Sequence, residues 1–422
     1  MVEEKKRNQF VDIMRGIAML LVVLGHTMTG STINSQSSFL FNVIWTLQMP
    51  LFILISGYVT RYSKELENKS ELIFYLKKRT FSYLLPWFIW TVLVRGVIFG
   101  ENSFLNPRFI LWHMDNGYWF LFSIWTITVI YGISNLIGAK ITTNRYKRML
   151  ATGGAYILGL LLLAGIGAVF GISFLGIKLT LYYMPFFFAG YLYGQVREKL
   201  MSLNHGKMII DIGVATSLMV WIVLLMRFNL YEISDTGLGV IIRAVASMTG
   251  CIALCGLCKG IFCRNTKEKW GGGILVRDSF SGNIYQPLFV LKHVENLNEI
   301  GCNNNIRCWS DFSKLCVNNE CGSYDSNVAK SEYVLQIDII WKSRLEMTLN
   351  WVGVHSLEIY LTHSLLINIL KLSKKTEFIT IPGIAVCFAN FTISLVVIYI
   401  VINLLKQNQY LNTILFGKKK RK

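Results

Sequence analysis

The residues best suited to chemistry lie in the first apolar stretch, where Asp12, Arg15 and His26 interrupt a run otherwise fit for a membrane. Ionisable side chains are costly in hydrocarbon, and in a span they usually serve a pathway or a site. A histidine exchanges protons near neutral pH, so it can act as a general base or be acylated as a nucleophile. An arginine offers a planar fork that matches a phosphate. On an α-helix the step from Arg15 to His26 rotates through about 1100°, within about 20° of whole turns. The two therefore share a face, about 16 Å apart along the axis. Asp12, one turn before Arg15, can pair with it. The stripe reads Asp12, Arg15, Met19, Val22, His26. A plainer account fits the same spacing: Arg15 as an interfacial anchor and His26 as a packing residue.

A second constellation lies near the C-terminus. Ser356, Tyr360 and His363 fall at i, i+4 and i+7, one polar stripe in an apolar helix. Glu358 is an acid at membrane depth on another face, with His355 three residues before it. Hydrogen bonding between helices accounts for Ser356 and Tyr360 equally well. Trp119 reads as an interfacial belt residue or as support for a substrate.

These residues need elements to hold them. The chain of 422 residues is 53% hydrophobic and 16% charged, with a mean hydropathy of +0.46. Soluble domains carry roughly 25% charged residues. The fold class is therefore all-α, a polytopic transmembrane bundle. Runs of about 20 apolar residues suggest about ten spans, at 10–29, 39–59, 80–100, 118–139, 149–170, 174–194, 208–227, 236–258, 346–370 and 379–404. The fifth and sixth are divided by a tight turn. Pro50 and Pro185 are expected to kink their helices. An even number puts both termini on one side. With the N-terminus cytoplasmic, the inside connections excluding 260–345 carry 22 Lys and Arg and the outside ones 4, a strong positive-inside asymmetry. The formal charge of +18 then reflects cytoplasmic loops and a basic tail beside anionic lipid, not nucleic acid. The first span reads as retained, since no small-residue cleavage site follows it.

Residues 1–259 and 346–422 read as one membrane domain, and 260–345 as a polar cytoplasmic insertion, partly ordered or disordered. The insertion holds Cys302, Cys308, Cys316 and Cys321, whose intervals do not match paired metal knuckles. No metal is expected. Cys251, Cys255 and Cys258 read as small residues at a helix contact.

The run RNQFVDIMRGIAMLLVVLGH (7–26) resembles the opening of the membrane acyltransferase family three, which includes bacterial sugar and polysaccharide O-acetyltransferases. QMPLFILISGY (48–58), KKRTFSYLLPWFIW (77–90), GYWFLFSIW (117–125), YYMPFFFAGYLYG (182–194) and WVGVHSLEIYLTH (351–363) are similar to its later elements. The resemblance covers most of the chain outside 260–345. It implies transfer of an acyl group, most often acetyl, from a cytoplasmic acyl-CoA to a hydroxyl or amine of a sugar, polysaccharide or lipid-linked glycan. It implies no bound cofactor, and a multi-pass place in the bacterial cell membrane. His26 would then be base or acylated nucleophile. Arg15 would hold a donor phosphate, with Asp12 fixing it. Arg79 matches a family position and would add to donor binding, whereas Lys77 and Lys78 read as ordinary anchors. His363 matches a family histidine. The 16 Å from Arg15 to His26 is about the reach of a pantetheine arm, so one end would hold the donor while the other does the chemistry. Self-association is left open. The rival readings are a transporter or flippase of a lipid-linked sugar, and a sensor built on 260–345.

Overall fold

The computed structural model describes residues 8–63, 65–262, 343–369 and 376–417. The chain divides into two units, Met1–Cys263 with Leu345–Lys422, and Arg264–Arg344. The four cysteines from Cys302 to Cys321, nearly all of the expected insertion and the basic end of the tail lie outside the described residues.

The described chain is helical apart from connections and one isolated bridge between Ile33 and Glu377. Its helices are α1 (Gln9–Ser31), α2 (Phe39–Val59), α3 (Lys69–Phe88), the short α4 (Pro107–Trp112), α5 (Trp119–Ile141), α6 (Arg145–Phe170), α7 (Ile177–Ser202), α8 (Gly206–Arg227) and α9 (Gly237–Phe262). After these come α10 (343–354), α11 (Ser356–Ile369), α12 (Ile381–Gln407) and the short α13 (Gln409–Phe416). Asn8, Ser38, Asn68, Asn144, Thr380 and Asn408 each accept a first-turn N–H at a helix start. Each replaces water for a backbone donor the helix cannot satisfy itself.

Among the described residues eight helices are long and apolar enough to cross a membrane: α1, α2, α3 with its extension, α5, α6, α8, α9 and α12. The other two expected spans correspond to α7 and the α10–α11 pair, which carry more polar residues and fall outside that set. α8 buries only Gly206 and Leu225. Its exposed Met219, Val223 and Met226 make sense against lipid, where apolar surface costs nothing and the backbone is satisfied within the helix. Asn42 of α2 holds the connection beyond α8, donating to Phe228 O at 2.9 Å and accepting from Leu230 N at 2.9 Å.

The centre is built by parallel pairs. A Cβ on Gly57 of α2 would collide with Phe187 O of α7, and one on Gly190 of α7 with Leu54 O of α2. A helical Cβ tilts toward its own N-terminus, so this reciprocity means that α2 and α7 run parallel with the two glycines level. The similar strings QMPLFILISGY and YYMPFFFAGYLYG thus supply the two faces of one contact. α2 and α7 each continue as one helix through Pro50 and Pro185, and the turns that follow pack tightly against each other. The departure from α geometry follows Pro86, where α3 passes into a π-helical extension, Ile89–Ile98. There Trp90 donates its indole N–H to Leu415 O of α13 at 2.9 Å.

The expected division between the fifth and sixth spans is present. α6 ends at Gly171, with φ +92°, and α7 begins after Leu175 and Gly176, with φ +50° and +62°. Left-handed backbone of this kind strains a side-chain-bearing residue and suits glycine. Beyond α8, Asp235 accepts from Lys178 at 2.6 Å and Arg243 at 3.1 Å. The Lys178 bond, with Arg243 beside it, holds its carboxyl below the usual range.

Gly57→Ala or Gly190→Ala is expected to destabilise the solubilised protein by about 1–3 kcal/mol, the range for overpacking. Gly154, with nothing within 4 Å of its Cβ position, supplies the control. Thermal unfolding in detergent checks this: Gly154→Ala should match wild type, and equal midpoints for all the variants would contradict the close contact.

Candidate active site

α1 meets α10 and α11 in the same parallel manner. A Cβ on Gly16 would collide with Leu349 O, and one on Gly353 with Asp12 O. The two glycines are therefore level. The same residue offset relates His26 to His363 and Gly30 to Ile367. The rings of His26 and His363 lie 5.1 Å apart, tilted by 51°, and Ile367 Cγ2 is 3.1 Å from the Cβ position of Gly30. Three levels of contact thus fix one register, and it puts the two histidines together.

His363 is 2% exposed. Its Nδ1 lies 2.7 Å from Tyr360 O and 3.1 Å from Ile359 O. A carbonyl oxygen only accepts, so Nδ1 carries the proton and Nε2 presents a lone pair. That Nε2 is buried without a hydrogen-bond partner among the described residues. Gln48 of α2 contributes a second such atom. Its Oε1 lies 3.1 Å from the Cβ position of Gly25 and is likewise buried and unpartnered. His26 is exposed although Gly25, Thr27 and Met28 around it are buried. His363 faces its ring from the core, and the rest of the ring is left accessible. One buried acceptor therefore lies against the accessible imidazole from α11, and a second meets α1 from α2 one residue before it. Buried polar atoms are seldom left unpaired without a role.

At the other end, Asp12 is 2% exposed, and Arg15 Nη1 stands 3.9 Å from its Oδ1. The Arg15 side chain keeps 28% exposure. Met19 and Val22, between Arg15 and His26, are 0% and 1% exposed. The shared face thus has two open polar ends and a packed middle. A molecule touching both ends must pass beside Met19 and Val22.

Tyr360, 9% exposed, packs its ring near His363 at 5.8 Å, Phe120 at 5.4 Å and Tyr118 at 6.0 Å. Tyr118 donates its hydroxyl to Leu361 O at 3.0 Å. Trp119, the first residue of α5, stacks on Tyr183 at 5.5 Å and 17° and packs against the buried aromatic cluster. Ser356 begins α11, half-buried, two turns or about 10 Å before His363. The Glu358 carboxyl, 0% exposed, meets Lys406 Nζ of α12 at 3.6 Å. His355, three residues before it, directs Nδ1 to Trp351 O at 2.8 Å and stacks on Trp351 at 4.4 Å. Arg79 is half-buried between rings of its own helix, 5.1 Å from Tyr75 and 6.0 Å from Tyr83, whose hydroxyl accepts from it at 3.4 Å. Lys77 and Lys78 are exposed.

Sequence reasoning found Asp12, Arg15, His26 and His363, but did not single out Gln48 or Lys406. Gln48 was visible only as a polar residue before Met49 and Pro50 in an apolar span. Lys406 sat in a basic C-terminal segment where any lysine reads as an anchor. Among the described residues no group of three or more His, Cys, Asp or Glu is arranged to hold a metal.

Comparison with known proteins bears on the whole arrangement. The family model of the acyltransferase domain, acyltransferase family three, matches residues 8–277. The match covers the segments from α1 to α9 quoted above, whereas WVGVHSLEIYLTH (351–363) lies beyond it. Nodulation protein NolL of Sinorhizobium fredii (strain NBRC 101917 / NGR234) is 25% identical over 203 residues, 44% of this chain and 49% of the relative. The chain thus spans about half the length of that relative. No solved structure matches. This apolar helical bundle, whose first helix carries Arg15 and His26, is matched by that model over most of its length, and the chain belongs to acyltransferase family three.

Proposed function

We propose that this membrane enzyme moves an acyl group, most often acetyl, from a cytoplasmic acyl-CoA to a hydroxyl of a sugar, polysaccharide or lipid-linked glycan in the bacterial cell membrane. The observation that carries the reading is the pair of buried acceptors, His363 Nε2 and Gln48 Oε1, beside an accessible His26. A polyhydroxylated acceptor supplies the hydrogen-bond donors that these atoms lack. The name of NolL, a nodulation protein, is neutral on the acceptor.

His26 serves as the general base. The acceptor hydroxyl gives its proton to a His26 nitrogen while its oxygen bonds to the acyl carbon. The carbon–sulfur bond breaks, and the thiolate leaves as a thiol by taking that proton. Each transfer suits a group that is neutral before and after the cycle. His363 acts beside His26: its Nε2 lone pair accepts a hydroxyl of the acceptor and so holds that molecule against the imidazole that takes the proton. Arg15, steadied by Asp12, binds a donor phosphate through charge-assisted bonds. Arg79 adds positive charge on the same side. The loop charges support a cytoplasmic N-terminus and donor entry at the Arg15 end.

His26→Ala should lower transfer by about 10²–10⁴ without loss of membrane insertion. Arg15→Ala should raise the donor KM, and Arg15→Lys should restore only part of the loss because it lacks the fork. Kinetics over a wide range of acetyl-CoA check the asymmetry. Excess donor should rescue the Arg15 variants and leave His26→Ala inactive. Rescue of His26→Ala would make His26 a packing residue.

His363→Ala should lower kcat and change the pH profile with the donor KM unchanged. Gln48→Leu should raise the acceptor KM, because it removes an acceptor the substrate would use. Steady-state kinetics with varied acceptor check both. A wild-type acceptor KM in Gln48→Leu would remove Gln48 from the site.

Orientation is checked by cysteine labelling in intact cells. A cysteine at Asn229 should react with an impermeant reagent, and one at Gly417 only after the cells are opened. The reverse pattern would put donor entry at the other face.

A further inference from the structure

A cavity of about 310 Å³ opens between the end of α2, the facing parts of α5 and α6, and the end of α7. That is within the range of small-molecule sites. None of its lining residues is among those assigned above. Its charged lining consists of Arg61, Arg145, Arg148, Glu65 and Glu198. The arrangement is layered. The side chains of Arg148 and Arg61 are 11% and 15% exposed, whereas those of Glu65 and Glu198 are 61% and 62% exposed. Arg61 and Arg148 thus form the walls, and Arg145, with its side chain 56% exposed, shares the rim with the two carboxylates.

The pairing leaves positive capacity over. Arg148 donates to Glu65 at 2.6 Å and to Leu66 O at 3.4 Å. Glu198 is shared by Arg61 and, at 3.9 Å, by Arg145. One carboxylate therefore serves two guanidinium groups. Arg61 Nη1 is buried and has no acceptor among the described residues. The Arg61 guanidinium also lies over the rings of Tyr62 at 5.2 Å and Tyr58 at 5.8 Å. The hydroxyl of Tyr62 accepts from Asn8, the residue that caps α1, at 3.0 Å. The cavity therefore borders the end of α1 that leads to Arg15, about 10 Å further along the helix.

We infer that this cavity is a phosphate site for the nucleotide end of the donor, taking its 3′-phosphomonoester between Arg61, Arg145 and Arg148. The inference rests on the donor proposed above and names where its outer end is held. Glu198 approaches from the rim with a 62% exposed side chain, so a doubly charged phosphate that reaches the unmatched Arg61 Nη1 replaces a solvated carboxylate and makes bonds the carboxylate leaves unmade. Glu198 keeps the site occupied until the ligand arrives. With the diphosphate at Arg15 and the thioester at His26, the cavity completes a line of three anchors.

The test uses the full chain in phosphatidylcholine nanodiscs, with acetyl-CoA and 3′-dephospho-acetyl-CoA as donors and adenosine 3′,5′-bisphosphate as a binding probe. Wild type should favour acetyl-CoA over its dephospho form about tenfold through KM, the change expected when one charge-assisted contact is lost. Arg145→Gln and Arg61→Gln should abolish the preference with kcat unchanged, and weaken the probe about tenfold. Glu198→Gln should act oppositely, tightening probe binding and lowering the acetyl-CoA KM, whereas loss of a purely structural clasp would improve neither. Undiminished preference and probe binding in both arginine variants would overturn the inference. So would displacement of the probe by phosphatidylglycerol in the disc, which would reassign the cavity to a lipid headgroup. If neither donor supports transfer but the probe shows the expected pattern, the donor reading fails while the phosphate site stands.

Discussion

The close backbone contact of Gly16 with Gly353 is the constraint on which the site depends. Side chains at those positions would drive α1 and α10 apart. Without them, the two backbones meet and the parallel register is set. Every contact further along follows at the same offset, including the ring pair His26–His363. A slip of one turn would move His363 by about 5.4 Å along the axis, as far as the present separation of the rings. Small residues at membrane helix contacts usually count for affinity between helices. Here they also decide which polar residues face each other.

The apolar interior gives that register its chemical value. Water would supply partners for His363 Nε2 and Gln48 Oε1 at a surface. In the bundle each atom is an uncompensated cost until a donor arrives. The cost is held by backbone bonds on the other side of the His363 ring, which prevent it from turning away. Asp12 with Arg15, and Glu358 with Lys406, are the other response to the same environment: charge admitted to the interior together with an opposite charge.

How far the sequence discloses this depends on the distance over which each relation acts. The face shared by Asp12, Arg15 and His26 is a property of one helix and follows from its period. The helices themselves follow from apolar length, and their break at Gly171 and Gly176 from local backbone. The closing of Met19 and Val22 does not follow, because it depends on what covers α1. The pairing of Glu358 with Lys406 joins two helices, and nothing local in either segment points to the other. The strings around Pro50 and Pro185 each carry a glycine further on, Gly57 and Gly190, and these meet only once α2 and α7 are side by side. His363 was legible through a resemblance, and its anchoring to the carbonyls of Ile359 and Tyr360 only through the structure.

The parallel contact of α10 and α11 with α1 has a consequence for the stretch of chain before them. Their position is addressed by Gly353, His363 and Ile367 against Gly16, His26 and Gly30, so the connection from Phe262 need only be long enough to return. The closure cost of a connection grows by only about 0.6 kcal/mol for each doubling of its length. The level at which the two histidines meet is therefore written into the helix faces and not into the length of chain that joins them.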